Sequence, residues 1–150
     1  MKNIRLFRQF SFEAAHLLPA HQGLCRQLHG HSYRLEVEVK GPVMPEGSGA
    51  AAGMLLDLKS LKAVVGTTLL EQVDHALLLP DFLPTAQLEA GKRLSDRLLL
   101  LPFTPTCENL VHWMAEKLQK ALPIEVQLSR LCLWETAQSA AIWLPEDQSS

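Results

Sequence analysis

The stretch His29-Gly-His-Ser-Tyr-Arg-Leu-Glu-Val-Glu-Val-Lys40 decides the fold. Tyr33, Leu35, Val37 and Val39 fall on one parity, and Arg34, Glu36, Glu38 and Lys40 on the other. Clean alternation of this kind is the signature of a half-buried antiparallel strand, predicted here over residues 32–40. His29 and His31 continue the apolar parity backwards to the strand's beginning. Upstream, residues 4–16 read as a second strand, with Ile4, Leu6, Phe10, Phe12 and Ala14 in phase and only Arg8 interrupting. His16 shares that phase, so three imidazoles are expected to point inward at the ends of two adjacent strands. A buried imidazole is costly unless it is hydrogen-bonded or bound to a metal. Three converging ones fit a metal ion with one open position, the pattern of catalytic rather than structural zinc. The plainer reading makes each a satisfied boundary histidine; an H-x-H pair alone is a weak signal, which the in-phase His16 strengthens.

Moving outward, Gly41 to Gly53 is rich in Gly, Pro and Ala and reads as a loose connection. From Asp57, a good N-cap, the period becomes helical, with Leu58, Leu61, Val65 and Leu69 in register. A second helix is predicted to open at Thr106, after Pro105, with Glu108 near its positive end and a stripe of Leu110, Trp113, Met114 and Leu118. Strands are predicted over 124–135, with Ile124, Val126 and Leu128 alternating, and over 139–144. The order β-β-α-α-β-β is an α+β arrangement, an antiparallel sheet with helices on one face. Between His75 and Thr106 no period is clear, although Leu88, Leu94 and Leu98 leave room for a short helix. One domain over 1–145 with a polar tail over 146–150 is the expected organisation.

Composition sets the outer limits. With 150 residues the chain is long enough to bury a core without staples. Fourteen basic against sixteen acidic residues, a net charge of −2, argue against a nucleic-acid or anionic-membrane partner while allowing a small anionic ligand. The N-terminus lacks the apolar core of a signal peptide, and the longest apolar run, Leu98 to Phe103, falls far short of the roughly 18–20 residues that span a bilayer. Cys25, Cys107 and Cys132 are odd in number and widely spaced, which favours free thiols and a cytoplasmic setting.

Two further places carry chemistry. Cys25 precedes His29 in a loop with Arg26 beside it, a setting for a proton acceptor or nucleophile, or equally for a small buried residue. Asp74-His75 pairs a carboxylate with an imidazole that it can orient for acid–base work, though such a dipeptide is also common surface polarity. Cys107 and Cys132 read as structural, and His21 and His112 have no evident partners.

Phe10-Ser-Phe-Glu-Ala-Ala-His16 followed by Cys25-Arg-Gln-Leu-His29-Gly-His31-Ser-Tyr33 resembles the 6-pyruvoyl-tetrahydropterin synthase family. Gly53-Met-Leu-Leu-Asp57-Leu, Asp74-His75, Pro105-Thr-Cys-Glu-Asn-Leu110 and Trp134-Glu-Thr136 follow in the same order. The short gap from Cys25 to His29 is similar to the bacterial 6-carboxy-tetrahydropterin synthase branch of queuosine biosynthesis. The resemblance implies a tunnelling fold (T-fold), trimers stacked into a homohexamer, and Zn2+ on His16, His29 and His31. It implies 7,8-dihydroneopterin triphosphate as substrate, bound between subunits, with Cys25 as proton acceptor and His75, oriented by Asp74, as its acid–base partner. It also implies a pterin anchor at Glu135 and secondary ring contacts at Thr106 and Glu108. The carboxy branch releases acetaldehyde as a carbon–carbon lyase. Pyruvoyl formation, cleavage of a related dihydropterin, and a non-catalytic zinc-containing pterin-binding protein are the alternatives.

The chain departs from the family in three places. Leu79 stands where an asparagine is usual, Gln27 where arginine is common, and the segment 76–105 is long. Arg93 and Arg97 in that segment are within conceivable reach of a phosphate, with solvent-exposed helix charge as the plainer account.

Overall fold

The computed structural model describes residues 2–149. Strands β1 (Asn3–His16) and β2 (His29–Pro42) pair antiparallel along their whole length, from Asn3 opposite Pro42 to His16 opposite His29. The register sets Phe10 against Leu35, Phe12 against Tyr33 and Ala14 against His31. The predicted parities therefore meet on one face. That face is closed by α1 (Leu58–Val65), a π-helical turn (Gly66–Leu70) and the short α2 (Glu71–Val73), which run on without a break, and by α4 (Cys107–Ala121). Leu61, Val65 and Leu69 from the first segment, and Leu110, Met114 and Leu118 from α4, are fully buried against Tyr33, Leu35 and Val37. Each such leucine contributes about 1.5–3 kcal/mol of burial. Asp57 caps α1 by accepting from the Lys59 N–H, and Thr106 caps α4 by accepting from the Asn109 N–H.

Three local expectations need correcting. Leu58 is exposed although it shares the phase of Leu61 and Val65, because it is the first residue of α1, at the end of the stripe. Ile124 is almost fully exposed and precedes β5, which runs Gln127–Trp134. The parity of β5 also changes midway: the register with β2 shifts between Glu38 and Val39, and Ser129 is spent on the Glu38 carbonyl and carboxylate. Leu128 before the bulge and Leu131 and Leu133 after it therefore all point inward.

The α+β class stands, but the sheet is mixed rather than wholly antiparallel. Its order is β4-β3-β1-β2-β5-β6, with β6 at Ala140–Trp143. The unreadable segment folds as β3 (Ala76–Pro80), α3 (Thr85–Leu94) and β4 (Leu98–Leu101). β3 runs parallel to β1, and β4 parallel to β3. Ala76 and Leu78 enter the main core, whereas Leu77 and Leu79 pack with Leu83, Leu88 and Leu98 on the opposite face. The helices are thus not all on one face, since α3 covers the other. Covered on both sides, β3 shows a continuous apolar run in place of alternation, which is why strand parity could not reveal it. Residues Pro145–Gln148, which lead into and include part of the expected polar tail, make a 3-10 turn; Ser150, the last residue of that tail, lies outside the described residues.

Candidate metal centre and active site

Strand register brings His16, His29 and His31 together, and the end of β5 adds Glu135. One ligand atom from each of the four lies within 4.8 Å of all the others. His16 is fully buried, and its Nδ1 donates to the Pro105 carbonyl at 2.7 Å. His29 Nδ1 donates to the Gln27 carbonyl at 2.7 Å. A carbonyl oxygen only accepts, so each Nδ1 carries a proton, and the ring nitrogen left for a lone pair is Nε2. These two Nε2 atoms face one another at 3.1 Å. Two bare lone pairs repel at that separation unless a cation or a shared proton stands between them. Burial lowers the pKa of His16, opposed by the Pro105 hydrogen bond and by the Glu135 charge, which favours the neutral, ligating form.

His31 Nε2 is 2.9 Å from Glu135 Oε1 but off the line of a hydrogen bond, so it is a buried nitrogen without a hydrogen-bond partner. His16 Nε2 lies 3.7 Å from the same carboxylate oxygen. Tetrahedral ligands at zinc–nitrogen distances stand about 3.3 Å apart, close to the 3.1 Å between the Nε2 atoms of His16 and His29. The donor set therefore fits a small divalent metal, with Pro105 and Gln27 fixing two of the rings.

Tyr33 lies beneath the cluster, its hydroxyl 3.5 Å from His16 Nδ1 and its ring stacked on Phe12. Burial, and then the charge of Glu135, raises its pKa, so it remains a neutral phenol.

Asp74 and His75 follow α2. His75 has φ 60°, in the left-handed region that costs most residues about 1–2 kcal/mol. Its Nδ1 lies 2.9 Å from Asp74 Oδ1, and that oxygen also accepts from the Glu13 N–H at 3.0 Å. The His75 N–H donates to the Glu13 carbonyl at 2.6 Å. Glu13, His31, Ser32 and His75 line one open cavity of about 360 Å³, so a histidine of the candidate metal cluster and the candidate acid–base histidine border the same space.

The other candidates are more dispersed. Cys25 sits half-buried in the 3-10 turn Leu24–Arg26 and is not among the residues lining that cavity within one chain. Thr106 is the N-cap of α4, next to the Pro105 carbonyl that holds His16. Glu108 borders a separate cavity of about 320 Å³ with Val111, His112, β6 and the 145–148 turn. Cys107 and Cys132 are buried; burial pushes the Cys107 thiol up to about 12, and its Sγ lies 3.2 Å from the Leu133 carbonyl. Arg97 is neither free nor part of a helix: its guanidinium holds the Glu71 and Asp74 carbonyls. Sequence reading gave Glu13 no role of its own, although its odd parity already placed it on the sheet face opposite the core.

A curled six-stranded α+β sheet carrying three histidines and a carboxylate at its strand ends defines a T-fold protein with a side-chain cluster that could hold a metal. The family model described as 6-pyruvoyl tetrahydropterin synthase matches residues 5–146, and this chain belongs to that family. It is 32% identical over 140 residues to the 6-carboxy-5,6,7,8-tetrahydropterin synthase of Haemophilus influenzae, covering 90% of this chain and 94% of that one. It is 31% identical over 131 residues to the dihydroneopterin monophosphate aldolase of Pyrococcus furiosus, covering 87% and 89%. The 6-pyruvoyl tetrahydropterin synthase of Caenorhabditis elegans shares the fold with a TM-score of 0.67 and 25% identity, covering 96% of each chain. Pterin processing is thus the function this chain shares with its family. No described helix is long and apolar enough to cross a membrane.

Proposed function

We propose that this chain is a zinc-dependent carbon–carbon lyase that converts 7,8-dihydroneopterin triphosphate and water to 6-carboxy-5,6,7,8-tetrahydropterin, acetaldehyde and triphosphate, a step of queuosine biosynthesis. The observation behind this reading is the convergence of three imidazoles from two paired strands, with one of them, His31, bordering the cavity that His75 also lines. His16, His29 and His31 would hold the zinc, which when bound supplies Lewis-acid stabilisation of negative charge on a substrate oxygen. Cys25 accepts a carbon-bound proton of the side chain, and His75, oriented by Asp74 Oδ1, exchanges protons with the side-chain oxygens. Glu135 anchors the pterin by accepting from its ring N–H and amino groups, with Thr106 and Glu108 as secondary contacts.

A homohexamer of stacked trimers, with Cys25 and His75 of different chains completing each site, accounts for Cys25 lying off the cavity within one chain. The edge strands β4 and β6, which have no outer neighbour among the described residues, and the exposed Phe7 and Ile142 support such assembly. The free cysteines are consistent with a cytoplasmic enzyme.

Mass analysis of anaerobic turnover tests the proposal. Equimolar acetaldehyde and 6-carboxytetrahydropterin are expected, and a three-carbon pyruvoyl side chain retained on the ring contradicts it. The likeness to the Pyrococcus aldolase supports a second reading, cleavage of a related dihydropterin. Glycolaldehyde phosphate released from dihydroneopterin monophosphate, with a hydroxymethyl group left on the ring, would favour that one.

A further inference from the structure

The segment that follows β3 returns to the Asp74–His75 turn from outside. Arg97, in the link between α3 and β4, donates from Nε to the Asp74 carbonyl at 2.9 Å and from Nη2 to the Glu71 carbonyl at 2.6 Å. Its own carbonyl accepts from the Leu77 N–H at 2.8 Å. One residue thus binds backbone on both sides of His75. From the opposite side, Glu13 of β1 takes the His75 N–H and gives its own N–H to Asp74 Oδ1. His75 at φ 60° keeps its conformation only while the surroundings over-determine it. The planar guanidinium meets two carbonyls with two fixed N–H groups, and its charge complements the C-terminal end of a helix.

We propose that Arg97 is a positioning residue, which fixes the Asp74–His75 turn so that the His75 imidazole meets the substrate. The β3–α3–β4 unit is then part of the support of the active site. Resting on the reading that His75 exchanges a proton with substrate, the inference predicts an effect on turnover rather than on metal binding. Without the guanidinium the Glu71 and Asp74 carbonyls turn to water, the left-handed turn relaxes, and the Asp74–His75 hydrogen bond loosens.

The test compares Arg97→Ala, Arg97→Lys and His75→Ala with the unaltered, metal-loaded protein. It reads kcat and KM with dihydroneopterin triphosphate, metal content, and the NMR resonance of the His75 Nδ1–H. Arg97→Ala is expected to lower kcat about 10- to 100-fold, with KM held within about twofold, metal content unchanged and the resonance lost. Added guanidinium ion should restore part of kcat. Arg97→Lys should keep the fold and the charge yet remain impaired, since one ammonium cannot satisfy both carbonyls in the same geometry; it serves as the test if Arg97→Ala does not fold. Full kcat and an intact resonance in an Arg97 variant, with His75→Ala inactive, would overturn the inference and leave the role of His75 standing. Full activity in His75→Ala would instead overturn the role of His75. The resonance then decides on Arg97: its loss supports positioning and its persistence refutes it.

Discussion

The two ends of the candidate site are held in opposite ways. His16, His29 and His31 stand on β1 and β2, where a continuous antiparallel register fixes every backbone position and parity alone aims the rings. Asp74 and His75 stand on a turn between a helix and a buried parallel strand, where one residue takes φ 60° and a few hydrogen bonds from Glu13 and Arg97 set the direction. Register is shared among many pairs and tolerates the loss of any one of them. The turn has no such redundancy. Ligand geometry should therefore survive distant substitutions that turnover does not.

The largest expected effect falls on the turn. His75→Ala should lower kcat about 10²- to 10⁴-fold while the chain retains its metal, as steady-state kinetics and elemental analysis of one sample will show. Loss of metal in that variant would break the separation of the two ends. Next comes Leu79→Asn, which restores the residue usual in the family to a position enclosed by Leu77, Leu83 and α3. Burying an amide there and losing leucine packing should cost about 3 kcal/mol, read as a lower denaturation midpoint. An unchanged midpoint would mean that α3 does not seal that face. Stripping the metal should lower the melting temperature, with a stabilisation of about 2.7 kcal/mol regained at a hundredfold excess over Kd. Identical melting with and without metal would contradict a ligand set formed on the register strands. The smallest effect separates backbone from side chain: His75→Gly should exceed His75→Ala in stability by about 1 kcal/mol, both being inactive.

The same contrast explains what could be read from the sequence. Parity placed His16, His29 and His31 on one face because one side of β1 and β2 is solvated, and alternation is the trace that leaves. Leu58 and Ile124 misled because periodicity runs on at the ends of elements, to the first residue of α1 and to a residue before β5, where an apolar side chain no longer meets the core. Ser129 hid a bulge, so the inward residues of β5 change parity at a point no pattern marks. Ala76 to Pro80 was illegible for the reverse reason: buried on both faces, it has no polar phase to contrast with. The Asp74–His75 pair was visible as chemistry, but its support was not. Glu13 acts through backbone groups, and Arg97 comes from the segment without a period. Pro105 and Gln27 hold their histidines through carbonyls, which every residue possesses, so side-chain identity carries no sign of that role.

Metal stoichiometry of the purified protein tests the central claim most directly. One zinc ion per chain is expected, and none in a folded His16→Ala/His29→Ala/His31→Ala variant. The same stoichiometry in that variant would contradict it.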